Sequence, residues 1–340
     1  MKRRTLLTAI VGLSLAVIGC SKQPAQNSES GDNASKHVRI AVVAKSLGNG
    51  FFDAVHKGAD EAAKSLDAEI LFTGPTTPTA EGQIEVINAL IAQRVDAIAI
   101  SANDPDAVVP ALQRAMQRGI KVISYDSAVA QAGRVVHLAP SSDELIGQTC
   151  AQLASELAPN ATGKIAVVSA TPTSTNQNAW LAALQKTLPQ YSGLQFVGVA
   201  YGDDVADKSY REAVALIKQH PDLAVIVSLS SVGIVATAKA VEDQGLTGKV
   251  KVTGLGLPSE LAGYVEKAVV PKFAIWNPID LGYATTQIAA QLARGASASN
   301  SQGLSMGRLG TVTFDAQGIG AMGKPFVYDA SNVAEFAKIF

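Results

Sequence analysis

Residues 38–55 read VRIAVVAKSLGNGFFDAV, and the order of patterns in this stretch decides the fold. A mostly apolar run rich in β-branched residues comes first, which is typical of a buried strand. The Gly-rich turn that follows leads to Phe52, Val55 and Ala59, whose spacing is that of one helix face. A strand that enters a helix through a short loop is the unit from which parallel sheets are built.

The same unit recurs along the chain. The apolar runs AEILFTG, DAIAIS, KVISYD and RVVHLA continue the first series, and KIAVVSA, LQFVGVA, LAVIVSL, KVTGLGL and KFAIWNP form a second, with helical patterns between them. With 340 residues, of which 47% are apolar, the chain is long enough for two domains with a core each. The sequence therefore predicts an α/β fold of two doubly wound parallel-sheet lobes.

The N-terminal residues carry a different pattern. MKRR is basic, TLLTAIVGLSLAVI is apolar, and VIGC ends at Cys20. This order predicts a bacterial lipoprotein signal peptide over 1–20 with Cys20 as the lipidated N-terminus, since a transmembrane anchor needs about 20 apolar residues. Residues 21–36 lack large apolar side chains and are expected to form a disordered tether of roughly 20 Å. Only Cys150 remains in the folded part, where no disulfide is expected.

Charge and motifs argue against an enzyme. The 28 Lys and Arg residues balance 29 Asp and Glu residues, so neutral small molecules are the natural partners and no nucleic acid is expected. HExxH and CxxC are absent from the sequence. A GxGxxG string at Gly318 is followed by Lys324 and Pro325, which predicts a turn-rich loop, and Asp203 and Asp204 are interpreted as a helix cap. The sequence predicts a binding protein without a cofactor or a metal.

Ligands of open parallel sheets bind beyond the carboxyl ends of the strands, where the loops into the helices converge. In this chain those loops are rich in amides and hydroxyls, contain both tryptophans and the Phe51–Phe52 pair, and hold few ionisable groups. This lining favours an uncharged polar ligand.

From His37 to its C-terminus the chain resembles the periplasmic sugar-binding proteins of ABC importers, in the ribose-binding branch with the type I periplasmic binding fold. AKSLGNGFFDA, SANDPDAVVPAL, TSTNQNAW and FAIWNPIDLGYA are most similar to the rhamnose-binding lipoproteins. The resemblance implies a monosaccharide ligand, rhamnose or a similar deoxyhexose, which lobe closure delivers to the permease and ATPase subunits. It also implies a monomer in the periplasm or on the outer face of the cell membrane, held there by the lipid at Cys20.

Receptors for the furanosyl quorum signal autoinducer-2 share part of this pattern, and a chemoreceptor ligand-presenter would have the same fold. Those receptors carry Asp where this chain has Asn176 and Pro where it has Leu229. Both departures favour the sugar importer, with the quorum-signal receptor and the chemoreceptor partner as alternatives.

The resemblance further implies a ligand in the interlobe cleft and a hinge of three crossings, near 139–141, after Trp276 and near 305–309. The expected lobes are 37–139 with 278–305 at the N-terminal side and 140–277 with 306–340 at the C-terminal side.

A sugar presents hydroxyls around its rim and a C–H face on its ring, so its site needs fixed polar groups and aromatic faces. Asp126 can accept hydrogen bonds from two neighbouring hydroxyls. One of Phe51 and Phe52 is expected to face the cleft while the other packs in the core. The candidate ligand-binding residues are Lys45, Asn49, Phe51, Phe52, Asp126, Ser127, Asn176, Gln177, Trp180, Ser231, Pro258, Trp276 and Asn277.

Overall fold

The computed structural model of the protein describes residues 37–298 and 302–340, so Cys20, the predicted signal peptide and the tether lie outside the described residues. The strands are β1 (Val38–Val43), β2 (Ala68–Thr73), β3 (Ala97–Ile100), β4 (Lys121–Tyr125), β5 (Val136–Ala139), β6 (Gly163–Ser169), β7 (Leu194–Tyr201), β8 (Leu223–Ser228), β9 (Lys251–Gly254), β10 (Lys272–Ile275), β11 (Leu304–Ser305), β12 (Thr311–Val312), β13 (Ile319–Ala321) and β14 (Phe326–Asp329). The α-helices are α1 (Gly50–Leu66), α2 (Ala80–Ala92), α3 (Val109–Gln117), α4 (Asp143–Leu157), α5 (Thr175–Thr187), α6 (Ala206–Gln219), α7 (Ser231–Asp243), α8 (Pro258–Glu266), α9 (Pro278–Ala293) and α10 (Val333–Phe336). Within the described ranges, no helix is long and apolar enough to cross a membrane.

The N-terminal lobe is built on a parallel six-stranded sheet in the order β13-β5-β4-β3-β1-β2. Side chains alternate between the two faces of this sheet. Ile40 and Val42 of β1 pack with α1 and α9, whereas Ala41 and Val43 pack with α2 and α3. Helices therefore cover both faces, as the doubly wound prediction requires.

The C-terminal lobe repeats this plan with the parallel order β7-β6-β8-β9. Leu255, just beyond β9, bridges Ala274 of β10, and β10 pairs in antiparallel fashion with β14. Helix α4 packs with α5, and α6 packs with α7. The two sheets with their helices confirm the predicted α/β class.

The chain passes between the lobes after β5, after β10 and after β13, and the last of these crossings differs from the prediction. Ile319 of β13 lies beside His137 of β5, and β14 already pairs with β10. Residues 306–321 therefore belong to the N-terminal lobe, and the chain crosses at 322–325 rather than near 305–309. A strand of three residues in a Gly-rich stretch has no visible period, so the predicted turn-rich loop omitted β13, although turn and loop residues flank this strand on both sides.

Helix α9 returns the chain to the N-terminal lobe and lies against α1 through a pair of glycines. A Cβ atom on Gly58 would lie 1.8 Å from the carbonyl oxygen of Ile279, and one on Gly282 would lie 1.9 Å from that of Val55. Only glycine lets two backbones approach so closely. Because α1 begins in the loop that carries predicted ligand-binding residues, this contact positions one side of the cleft.

Replacing Gly58 with Ala is expected to lower the free energy of unfolding by about 1–3 kcal/mol, because the methyl group forces α1 and α9 apart. Gly263→Ala in α8 is the matched control, since nothing lies within 4 Å of the added methyl group. There the higher helix propensity of alanine should raise stability by about 0.5–1 kcal/mol. Urea unfolding measures both changes, and an unchanged midpoint for Gly58→Ala would contradict this packing.

Candidate functional site

The carboxyl ends of strands from both lobes face one cleft, as doubly wound sheets predict. The cleft contains about 380 Å³ of empty space, part of it open to solvent. It brings together the predicted residues Lys45, Asn49, Phe51, Phe52, Asp126, Asn176, Gln177, Trp180, Ser231 and Trp276.

Three buried side chains form a bridge across this cleft. Lys45 Nζ donates hydrogen bonds to Ser174 Oγ at 2.7 Å and to Asn176 Oδ1 at 3.2 Å. Asn176 Nδ2 donates in turn to Asp126 Oδ1 at 3.0 Å. Lys45 and Asp126 belong to the N-terminal lobe and Asn176 belongs to the C-terminal lobe. The Asn176 amide therefore joins the two lobes, and the described conformation is a closed one.

Asp126 lies in a dry part of the cleft. Burial raises the pKa of its carboxyl group, which Lys45 and hydrogen bonds from Ser101 and Asn176 oppose, while the charge of Asp204 adds to the rise. Ser101 Oγ donates to Asp126 Oδ2 at 2.8 Å. Each carboxylate oxygen thus has one protein donor and can accept another hydrogen bond, such as one from a ligand hydroxyl.

Aromatic rings cover another part of the cleft. Phe51 meets Trp276 edge to face with ring centroids 6.0 Å apart, and Trp180 meets Trp276 at 5.4 Å. Phe52 also lines the cleft while its ring lies 6.5 Å from that of Tyr125 in the core. Both residues line the cleft, and Phe52 is also the one whose ring packs in the core, so the two environments are not divided as strictly as expected.

The two indole N–H groups differ in their partners. Trp180 Nε1 donates to Asp143 Oδ1 at 2.9 Å, whereas the buried Trp276 Nε1 has no acceptor among the described residues. A buried donor without an acceptor costs about 1–3 kcal/mol. An oxygen atom of a ligand in the cleft that Trp276 lines would remove this cost.

The side-chain oxygens of Gln177 and Asn49 accept hydrogen bonds from groups that are close to them in the sequence. Gln177 Oε1 accepts from Ser169 Oγ at 2.8 Å and from the Ala170 N–H at 2.6 Å. Asn49 caps α1 by accepting from the Phe51 N–H at 3.0 Å. With their oxygens so engaged, both residues offer an NH₂ group to a ligand.

Three predicted residues do not line the cleft. Asn277 caps α9 by accepting hydrogen bonds from two backbone N–H groups of that helix. Pro258 begins α8, a position where its missing N–H costs nothing. Ser127 is fully buried, and its backbone N–H donates to Ser101 Oγ. All three follow strands closely, so position along the sequence did not separate them from the lining residues.

The cleft also contains residues that the sequence analysis did not select. Asp204 lines it and accepts a hydrogen bond from Ser230 Oγ, while Val205 occupies the N-cap position of α6. The interpretation of Asp204 as a helix cap is therefore wrong. Because Asp204 lies just beyond β7, the strand-end rule would have found it had it been applied to that strand. The other unselected lining residues are Leu229, Ser230, Leu255 and Ile275.

Comparison with known proteins agrees with this architecture. Residues 40–297 match the model of the periplasmic binding protein domain. The chain belongs to this periplasmic binding protein family. The D-ribose/D-allose-binding protein of Pseudomonas aeruginosa is 28% identical over 228 residues, which are 64% of this chain and 70% of that protein.

Two solved structures are similar to this periplasmic binding protein along most of its length. An ABC transporter solute-binding protein of Clostridium phytofermentas with bound L-rhamnose is 36% identical, with a TM-score of 0.86, and the match covers 90% of this chain and 99% of that one. LsrB of Clostridium saccharobutylicum in complex with AI-2 is 22% identical, with a TM-score of 0.83 and coverage of 88% and 98%. At that identity the second likeness concerns the fold alone.

These findings confirm the predicted family, a type I periplasmic sugar-binding protein, and its role as a transport component rather than an enzyme. A solute-binding protein of a sugar ABC transporter works outside the cytoplasm, takes a monosaccharide and acts with the membrane subunits of its transporter.

A periplasmic binding protein holds its ligand by closing two lobes, and Glu260 lies where the lobes meet. Glu260 belongs to α8 of the C-terminal lobe, and its Oε1 lies 2.7 Å from where a Cβ on Gly50 of α1 would be. Burial of the carboxyl group at this contact raises its pKa from 4.5 to about 7, and the charge of Asp53 in the first turn of α1 adds to the rise. Gly50 and Asp53 belong to the opposite lobe, so we expect closure of the lobes to favour the protonated form of Glu260.

Sugar affinity is therefore expected to fall severalfold between about pH 5.5 and about pH 8. Below pH 4.5 the Glu260 carboxyl group is neutral in both the open and the closed protein. The preference for the closed protein that this proton provides is lost as the pH rises through about 7. Glu260 as a whole residue is exposed although its carboxyl group lies against α1, so solvent screens the charge and keeps the effect moderate. Glu260→Gln should flatten the pH profile measured by calorimetry, whereas Glu266→Gln at the end of α8 should leave it as in the wild type. Identical profiles for both variants would contradict proton uptake at Glu260.

Proposed function

We propose that this protein captures L-rhamnose or a similar 6-deoxyhexose and delivers it to the permease of a sugar importer by closing its lobes. The observation that carries the proposal is the solute-binding protein of C. phytofermentas with bound L-rhamnose, which is 36% identical to this chain over 90% of its length. The strand-end stretches that resemble rhamnose-binding lipoproteins lie around the cleft, which supports the same ligand class.

The chemistry of the cleft suits an uncharged polyol. The charged lining consists of one ammonium group and the carboxylates of Asp126 and Asp204, and amide and hydroxyl groups make up the other polar lining. The aromatic rings of Phe51, Trp180 and Trp276 offer apolar faces to the C–H side of a sugar ring. We infer that these groups, with Lys45, Asn49, Phe52, Asn176, Gln177 and Ser231, contact the sugar.

The quorum signal autoinducer-2 is the second candidate ligand, because the C. saccharobutylicum protein in complex with AI-2 shares the fold. Asn176 argues against it. Its Nδ2 donates to Asp126 at 3.0 Å, a hydrogen bond that the ionised Asp carried by the quorum-signal receptors could not donate. Presentation of the sugar to a chemoreceptor would use the same cleft and would be an additional role.

The anchoring proposal rests on the sequence. Lipidation of Cys20 would hold the protein at the outer face of a membrane, and residues 21–36 would let the monomeric two-lobed body reach its permease.

A thermal unfolding screen with single monosaccharides tests the ligand proposal. L-rhamnose, which binds only the native state, should raise the midpoint by several degrees, and the rise should grow with sugar concentration. Calorimetry then measures the affinity. A rise with autoinducer-2 and none with L-rhamnose or other 6-deoxyhexoses would overturn the proposal in favour of the quorum signal.

A further inference from the structure

One part of the cleft lining is aliphatic. Leu229, Leu255 and Ile275 line the cleft, and each exposes only 2% of its surface. Leu229 follows β8 and Leu255 follows β9, which pairs with β8, while Ile275 ends β10, which Leu255 bridges at Ala274. The three residues thus occupy the ends of neighbouring strands, and we refer to them as the aliphatic wall.

The rest of the described lining is polar or aromatic. Its ammonium, amide, carboxylate and hydroxyl groups suit the hydroxyls of a sugar ring, and the aromatic rings suit its C–H face. The aliphatic wall offers neither a hydrogen bond nor a flat face. A small apolar substituent of the ring, such as a methyl group, fits that chemistry.

We propose that the aliphatic wall binds the C5 methyl group of the sugar and makes the site select 6-deoxyhexoses over the matching hexoses. This proposal rests on the proposed function, because it assigns the position of one substituent of the same ligand. Leu229, Leu255 and Ile275 are in this sense specificity-determining residues.

The physical reason is a difference in desolvation. A hexose carries a hydroxymethyl group where a 6-deoxyhexose carries a methyl group, and a hydroxyl buried against aliphatic side chains loses its hydrogen bonds to water without replacement. The expected penalty is about ten- to a hundredfold in affinity. The methyl group loses no hydrogen bond and gains contact with the wall.

Three sugars that share the ring stereochemistry at C2, C3 and C4 test this directly. L-lyxose has a hydrogen at C5, L-rhamnose a methyl group and L-mannose a hydroxymethyl group. Calorimetry on the wild type should find L-rhamnose the tightest ligand, L-lyxose weaker by severalfold and L-mannose weaker by about tenfold or more. Equal affinities for L-rhamnose and L-mannose, or for L-rhamnose and L-lyxose, would contradict the proposed binding of the methyl group by the aliphatic wall. They would leave the proposed function intact.

Two further outcomes concern the identity of the sugar. A protein that binds none of these three sugars but prefers L-fucose over L-galactose, another methyl and hydroxymethyl pair, would refute rhamnose and support the wall. A protein that prefers a sugar without a methyl group would refute both.

Substitutions in the aliphatic wall test whether these residues cause the preference for L-rhamnose over L-mannose. Leu229→Asn and Ile275→Thr place a hydrogen-bonding group on the wall and should narrow the ratio of L-rhamnose to L-mannose affinity. Leu246→Asn, which makes the same change as the first variant at a partly buried position outside the cleft, should keep the wild-type ratio. Thermal unfolding without sugar shows whether each wall variant folds. With two variants, the ratio can still be measured if one of them does not fold. An unchanged ratio in a folded wall variant would overturn the proposal.

Discussion

Replacing Asp126 with Asn is expected to weaken sugar binding about ten- to a hundredfold while the protein remains folded. A carboxylate that accepts hydrogen bonds from sugar hydroxyls contributes about 1.5–3 kcal/mol per bond, which corresponds to this range. The substituted amide keeps one acceptor oxygen, and its NH₂ group faces either the Ser101 hydroxyl or the Asn176 NH₂ group, which donate to the two carboxylate oxygens. Isothermal titration calorimetry with the sugar found in the thermal screen measures the loss.

Asn is preferred to Ala for this experiment because of the backbone. Asp126 has a φ of 56°, in the left-handed region that Asn and Asp tolerate better than other non-glycine residues. Asp203→Asn is the matched control, since Asp203 has a φ of 54° and pairs with Lys208. Sugar affinity should stay unchanged in this control. An unchanged affinity in Asp126→Asn would remove the carboxylate from the ligand contacts.

The same substitution should leave the stability of the sugar-free protein unchanged or raise it. Burial raises the pKa of Asp126 in the folded state above its ordinary value of 3.8, so folding disfavours the ionised form. The stability that the neutral Asp126 carboxyl group provides is fully present below pH 3.8 and is lost as the pH rises through its pKa in the folded protein. At neutral pH the buried charge therefore costs stability, and the neutral amide removes that cost while it gives up the charge pairing with Lys45, which is the smaller influence because burial is the larger cause of the pKa shift. A large drop in the unfolding midpoint would instead assign Asp126 a structural role.

Most of the site could be predicted because the carboxyl ends of parallel strands converge whatever the details of the loops. This rule, with the alternation of strands and helices, was sufficient to select Lys45 after β1, Asp126 after β4 and Trp276 after β10. It does not say which residue of a loop turns into the cleft. Asn277 follows the lining residue Trp276, and Pro258 lies three residues after the lining residue Leu255, but both serve the starts of helices.

Other parts of the site required the structure. The role of Asn176 as the amide that joins the lobes depends on Lys45 and Asp126, which are far from it in sequence. The aliphatic wall was missed because Leu255 and Ile275 read as ordinary strand residues. The third crossing was misplaced because β13 spans only three residues and pairs with a strand far away in the chain.

The largest effect is expected from Cys20, which lies outside the described residues. Replacing Cys20 with Ala should abolish incorporation of labelled fatty acid into the protein in a bacterial host, because lipidation needs this thiol. Cys150→Ala is the matched control, as the chain has only two cysteines. The Cys150 thiol is buried in α4, where burial raises its pKa to about 12, so it does not serve as an acceptor in the folded protein.

The labelling experiment separates a lipid anchor from a peptide anchor. A transmembrane segment over the apolar N-terminal run would hold the protein at the membrane without any label, and label in Cys20→Ala would place the acylation elsewhere. Each buried CH₂ of an acyl chain contributes about 0.8 kcal/mol, and a single chain gives only reversible binding, so stable anchoring at Cys20 needs more than one. With such an anchor, a tether of roughly 20 Å, as the sequence predicts for residues 21–36, would keep the sugar-binding body close to the membrane and leave its lobes free to open and close.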